Sequence, residues 1–337
     1  MNAKKYLPAA AIPESFIIFV LSFLCWLSPA NAVAQPLSSR SATASAYIKR
    51  GDAWFAKGDY ERALADFDLA VASDPGNTSA YYNRAVTLYR LKNYERALAD
   101  FARAIQLNPR FVEAYMGRGV VRQAIGDPDG VISDCDKVIE LDPSLAAAWN
   151  NRGLAREDKG DLAGAIADFN RAIELEPRRA EVYGNRGSAR LRIGDFDGAI
   201  SDQTRALKLN PDLVESWSDR GAARRSKGDI DGALADYNQA IKLNPLVADV
   251  WFNRADCWKV KGDLKQAESD YTRAIELKPH WAQAYAQRGL ARLLRGRDAE
   301  AEQDFARCLW LDKNLKQSLE RLITEAKQRL TQRSPSR

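Results

Sequence analysis

The sequence predicts an all-α helical solenoid of eight two-helix units, and three observations carry that reading. Proline returns every 34 residues, at Pro75, Pro109, Pro143, Pro177, Pro211, Pro245 and Pro279, with Lys313 at the eighth position. An aromatic residue stands 28 positions before each: Tyr47, Tyr81, Tyr115, Trp149, Tyr183, Trp217, Trp251 and Tyr285. Within each period the apolar residues fall at three and four spacing in two blocks separated by a turn, so every unit holds two helices.

Each block has a physical reason to be helical and a reason to stop. Four residues after each aromatic comes Gly51, Ala85, Gly119, Gly153, Gly187, Gly221, Ala255 or Gly289, small enough for two helix backbones to approach. The first helix ends at Gly58-Asp59, Gly126-Asp127, Gly160-Asp161, Gly194-Asp195, Gly228-Asp229 and Gly262-Asp263, where glycine takes positive φ without Cβ strain. The second helix carries a small residue (Ala63, Ala97, Val131, Ala165, Ala199, Ala233, Ala267, Ala301). Four positions on it carries Phe67, Phe101, Cys135, Phe169, Gln203, Tyr237, Tyr271 or Phe305. It ends at the residue before proline, which proline drives out of the α region. Helices of about 14 residues, some 20 Å long, are too short to be stable alone. Stacking of neighbouring units must therefore supply the core.

These residues and offsets resemble the tetratricopeptide repeat family, in eight copies over 44–315: 44–77, 78–111, 112–145, 146–179, 180–213, 214–247, 248–281 and 282–315. The resemblance implies a right-handed superhelix whose first helices line a concave, protein-binding groove. After the array, Leu315, Leu319, Leu322, Ile323, Ala326 and Leu330 make one apolar stripe, so 316–337 reads as a capping helix with a basic tail. A lipid-binding tail is the alternative.

Ahead of the array, Lys4 and Lys5, a 12-residue apolar run from Phe16 to Leu27 and small residues up to Ala32 read as a secretory signal peptide over 1–32, followed by a polar linker over 33–43. The run falls short of the roughly 20 residues that span a bilayer. Export is the expectation, periplasmic in a Gram-negative host, with no stable membrane span after cleavage. Cys25 lacks the small residue that a lipobox places ahead of its cysteine. Removal of that segment leaves Cys135, Cys257 and Cys308, which read as buried free thiols.

Composition argues against several functions. The formal net charge is +5, and residues 312–337 hold seven Lys/Arg against three Asp/Glu, so the array is nearly neutral and no nucleic-acid groove is expected. His280 is the only histidine, so no multi-histidine metal site is possible, and its place in an inter-repeat turn reads as a solvated loop side chain rather than a member of a catalytic triad. The glycines are absorbed by repeat positions rather than a phosphate loop. The chain is expected to have no catalytic residues, no metal and no cofactor.

One departure from the family pattern recurs in every unit. Where leucine is usual stand Arg50, Arg84, Arg118, Arg152, Arg186, Arg220, Arg254 and Arg288. Sixteen residues after each come Asp66, Asp100, Asp134, Asp168, Asp202, Asp236, Asp270 and Asp304. The matched aspartates would neutralise an arginine track, so the spacing predicts a structural ladder of ion pairs between helices.

Function is expected on the outward positions of the first helices. Directly before the arginines stand Lys49, Asn83, Gly117, Asn151, Asn185, Asp219, Asn253 and Gln287. A spaced row of amides offers donors and acceptors to an extended peptide backbone whatever its sequence. It looks like the asparagine ladder of some peptide-binding superhelical repeats, including the array of the O-GlcNAc transferases, interrupted here at Gly117 and Asp219. The alternative is that asparagine is simply tolerated on a solvated helix face. Tyr82, Tyr89, Asn150 and Phe252 join the groove candidates. A protein or peptide partner held in this groove is the first expectation. The second is an accessory subunit that positions an envelope enzyme through its convex face or terminal helix.

Overall fold

A computed structural model describes residues 39–333. The expected signal peptide lies outside the described residues. Among those described, every regular element is helical, and no helix is long and apolar enough to cross a membrane.

Eight helix pairs follow one another: α1 (Ser39–Ala56) with α2 (Tyr60–Ser73), α3 (Thr78–Arg90) with α4 (Tyr94–Leu107), α5 (Val112–Ala124) with α6 (Pro128–Leu141), and α7 (Ala146–Asp158) with α8 (Leu162–Leu175). Then come α9 (Ala180–Ile193) with α10 (Phe196–Leu209), α11 (Val214–Ser226) with α12 (Ile230–Leu243), α13 (Ala248–Lys261) with α14 (Leu264–Leu277), and α15 (Ala282–Leu293) with α16 (Asp298–Leu311). A short 3₁₀ turn leads to α17 (Lys316–Arg333). Residues 39–43, expected as linker, are already helical: Ala44 is fully enclosed, and Ser-Arg-Ser-Ala-Thr contains neither glycine nor proline to stop the helix from extending N-terminally.

The turns obey the residue logic at atomic level. Gly58, Gly126, Gly160, Gly194, Gly228, Gly262 and also Gly296 have φ between 74° and 85°. The second pair has no glycine there, and Lys92 adopts φ 59° in its place. In the first seven repeats the aspartate or asparagine that follows caps the second helix, as Asp161 accepts from the Gly164 N–H at 2.9 Å; in the eighth, Arg297 stands there and makes no such bond.

Two compact units divide between Asn83 and Arg84. In the first, Phe67 packs against α1 so closely that a Cβ on Gly51 would lie 2.7 Å from its ring. In the second, each first helix packs on its own second helix, each second helix on the next first helix, and α7, α9, α11 and α13 touch in succession. The core runs along the stack as one layer per repeat; Ala165, Phe169, Ala172, Val182 and Ala189 make one such layer. The stack ends where Leu319 and Ala326 of α17 bury against Leu290, Leu293 and Phe305.

Candidate functional site: the groove face and its arginine support

The arginines that precede the small residues are held from three sides. In all eight repeats the Nε and Nη2 groups donate to the carboxylate sixteen residues on, at 2.6–3.2 Å, in side-on pairs from Arg50–Asp66 to Arg288–Asp304. The aspartates are buried, Asp168 and Asp270 to 2% exposure. From the fourth repeat on, the guanidiniums reach back with Nη1 to the second helix of the preceding repeat: Arg152 to Asp136, Arg186 to Asn170, Arg220 to Thr204, Arg254 to Asn238 and Arg288 to Thr272. The third support is the repeat aromatic. Arg152, Arg220 and Arg254 lie over Trp149, Trp217 and Trp251 at 4.7–4.8 Å, and those indoles donate to the carbonyls of Pro143, Pro211 and Pro245.

A second arginine was not foreseen. Arg122, Arg156, Arg190, Arg224 and Arg292, four residues after the ladder arginine, donate to the same aspartates at 2.8–2.9 Å. The Arg-x-x-x-Arg spacing was visible in five repeats; its partner sits on the facing helix, twelve residues on. In the seventh repeat Trp258 occupies that position, so Asp270 has Arg254 alone. The acidic ladder is thereby consumed internally, and the arginines are locked to the array rather than offered to a ligand.

The amide row presents a more varied surface. Asn185 donates to the Asn150 Oδ1 at 3.0 Å, and Asn150 in turn leans on Asn151 at 3.4 Å, so the three amides of repeats 4 and 5 are linked. Asn83 donates to Asp52 within the first unit, and Gln287 accepts from the Lys259 ammonium at 2.6 Å. Asn253 is half-buried, beside Phe252, which stacks on Trp281 at 4.5 Å and meets Tyr271 edge-on at 5.4 Å. Tyr89 packs on Tyr94 at 5.9 Å.

Two groove candidates are enclosed instead of presented. Asn150 is 3% exposed, its amide spent on the two neighbouring asparagines, and Tyr82 is buried. The break at Gly117 also has a cause: a Cβ there would lie 2.6 Å from the Phe101 ring, which leans onto the next repeat because Ala85 takes the place where most repeats have glycine. At the second break, Asp219 receives the side chain of Gln203, Nε2 to Oδ2 at 3.3 Å.

The electrostatics of this face are local. Burial pushes Asp219 up to about 7, with Glu157 and Glu215 repelling its charge and the Ser188 hydroxyl working the other way. Asp52 rises to about 6 through burial, offset by Asn83. Glu157 is raised by burial, against its partner Arg192. Asp256 is well supplied, by Arg225 at 3.0 Å, Lys259 at 3.3 Å and the Tyr271 hydroxyl at 2.6 Å. Away from the groove, Cys135, Cys257 and Cys308 are free and buried; burial pushes Cys135 to about 12 and Cys257 to about 11. No group of three metal-ligating side chains comes together among the described residues.

Stacked two-helix units define a helical-repeat protein. Models of the tetratricopeptide repeat match residues 78–111, 146–179, 180–213 and 218–282, and a TPR repeat model matches 51–92. The chain belongs to the tetratricopeptide repeat family, a family of protein-interaction scaffolds. No curated protein matches it. Among solved structures it is similar to the Cut9–Hcn1 hetero-tetramer of APC/C, at 16% identity and TM-score 0.61 over 83% of this chain and 55% of that one. The C-terminal part of a TPR repeat-containing protein from Cytophaga hutchinsonii is similar at 18% identity and TM-score 0.57, over 71% and 98% of the two chains. MamA shows 25% identity and TM-score 0.46, over 49% and 96%.

Proposed function

We propose that this chain is an exported, non-catalytic scaffold that binds extended peptide segments of protein partners in the groove formed by its first helices. The observation that carries the reading is the contrast between its two polar systems. The ladder charges are paired within the array, whereas the row from Asn151 through Asn185 and Asn253 to Gln287, broken at Asp219, keeps half-buried amide groups on four of the five last first helices. Export rests on the signal-like segment ahead of the array.

Affinity capture from the producing cell's envelope, with the protein and its Asn151→Ala/Asn185→Ala variant, tests it. A partner retained by the parent and lost by the variant is the expected result. A partner kept by both moves the site elsewhere. The second reading, docking through the convex face or terminal helix, draws support from Trp310 on α16, which is 67% exposed and stacked on Arg307 at 4.1 Å.

A further inference from the structure

The second unit breaks its own core rule in three consecutive repeats. The position that holds phenylalanine at Phe101, Phe169 and Phe305 holds Gln203, Tyr237 and Tyr271 in repeats 5, 6 and 7. These side chains pack against the first helices, Gln203 on Gly187 and Tyr237 on Gly221, and their buried polar tips must find partners there. Tyr271 does, at Asp256. In repeat 6 the position corresponding to Asp256 is Ala222, and the Tyr237 hydroxyl has no hydrogen-bond partner although the residue is fully buried. Gln203, 1% exposed, donates from Nε2 to the Gly184 carbonyl at 3.0 Å and to Asp219 at 3.3 Å, while its Oε1 is also without a partner.

Gly184 puts no side chain beside the Gln203 oxygen, but the space is closely filled: a Cβ there would lie 3.8 Å from that oxygen and 3.2 Å from the Ser216 hydroxyl oxygen. Tyr237 lies against α11 two residues from Asp219, since a Cβ on Gly221 would be 2.9 Å from its ring. Asp256 has two cations, but among the described residues none pairs with Asp219, whose charged neighbours Glu157 and Glu215 are both acidic. A carboxylate, an amide oxygen and a hydroxyl are all able to accept; the nearest cation to the hydroxyl, Arg225, is paired with Asp256, and among the described residues none of the three accepts from a cation.

We infer that Asp219, with the Gln203 Oε1 and the Tyr237 hydroxyl behind it, forms a recognition subsite for the positively charged nitrogen of a bound peptide, a lysine or arginine side chain or the N-terminal ammonium. The inference rests on the groove reading above and gives it a residue preference. Access takes a rotation of the Asp219 side chain toward the groove, which exchanges its Gln203 contact for the incoming N–H donors and uncovers the two shielded oxygens.

Fluorescence anisotropy with the purified protein tests it, using capped Ala/Ser/Gly nonapeptides that carry one central lysine, glutamine or glutamate, and an uncapped glutamine peptide with a free N-terminus. The lysine or the uncapped peptide is expected to bind at least about tenfold tighter than the capped glutamine peptide, the magnitude of a charge-assisted hydrogen bond; which of the two gains identifies the source of the charge. Asp219→Asn is expected to erase that preference, read as the ratio of charged to neutral peptide affinity within the variant. Tyr237→Phe and Gln203→Phe install the residue that other repeats carry at this position, so they should keep the fold, checked by melting, and narrow the preference. Equal binding of charged and neutral peptides, or a preference that survives Asp219→Asn, overturns the subsite while leaving the groove reading standing. Absence of binding by every peptide at millimolar concentration overturns both.

Discussion

Removing a ladder arginine should cost different amounts in different repeats, and the structure says which. Arg152→Ala deletes two hydrogen bonds to Asp168, at 2.9 and 2.7 Å, and one to Asp136, but Arg156 still donates to Asp168 at 2.8 Å. The buried carboxylate keeps one cation. Arg254→Ala deletes the corresponding bonds to Asp270, at 2.7 and 2.8 Å, and leaves a 2% exposed aspartate with no arginine, because Trp258 stands in for the second one. Breaking a buried pair by removing one partner costs about 3–5 kcal/mol, chiefly from the stranded charge. Arg254→Ala should approach that range. Arg152→Ala should fall nearer ~1.5–3 kcal/mol, the worth of charge-assisted bonds lost while the acid stays paired. Urea titrations followed by circular dichroism at 222 nm would show the lower midpoint for Arg254→Ala. Equal losses, or a larger loss for Arg152→Ala, would refute the argument. The same geometry directs the compensating swap to repeat 7: Arg254→Leu with Asp270→Tyr should recover most of the loss, whereas the swap at Arg152 and Asp168 would strand Arg156.

Lys92→Gly should stabilise the protein by about 0.5–1 kcal/mol, since it relieves the only non-glycine residue at positive φ among the described residues; no rise in the urea midpoint would contradict this. Asp219 keeps its proton to about pH 7 in the folded chain and releases it near pH 4 when unfolded, so its contribution to stability declines as pH rises from 4 to 7. Asp219→Asn should flatten that slope in melting temperature, leaving the smaller shares of Asp52 and Glu157; an unchanged slope would place the titration elsewhere. Iodoacetamide at pH 8 should leave Cys135 and Cys257 unmodified in the native protein and alkylate both in urea, as burial and raised thiol pKa require; rapid native labelling would show that the array opens.

The sequence carries the architecture because the array repeats it. A single Pro177 or Trp149 says little, but the same offsets in every repeat fix the phase of each helix pair, and the arginine–aspartate spacing of sixteen residues already names two facing helices. Arg156 and its homologues escape that reading because the second arginine is not invariant: Trp54, Leu88 and Trp258 hold its place in three repeats. Asn150 reads as an outward polar residue and is buried, because its partners come from its neighbour Asn151 and from Asn185 in the next repeat. Gln203 stands out in sequence as a polar residue in an apolar column, yet its unpartnered oxygen and its contact with Asp219 appear only when two repeats are stacked. Periodic features are legible, in short, where one repeat explains itself, and the groove is legible only where repeats meet.

The central claim is that partners are held on the first helices, and site-specific photocrosslinking tests it most directly. Benzoylphenylalanine placed at Asn253, on the first helix α13, and at Trp310, exposed on α16, should be compared in the producing cell. The account predicts a crosslinked partner from Asn253 and none from Trp310; the reverse pattern would contradict it and place the binding surface outside the groove.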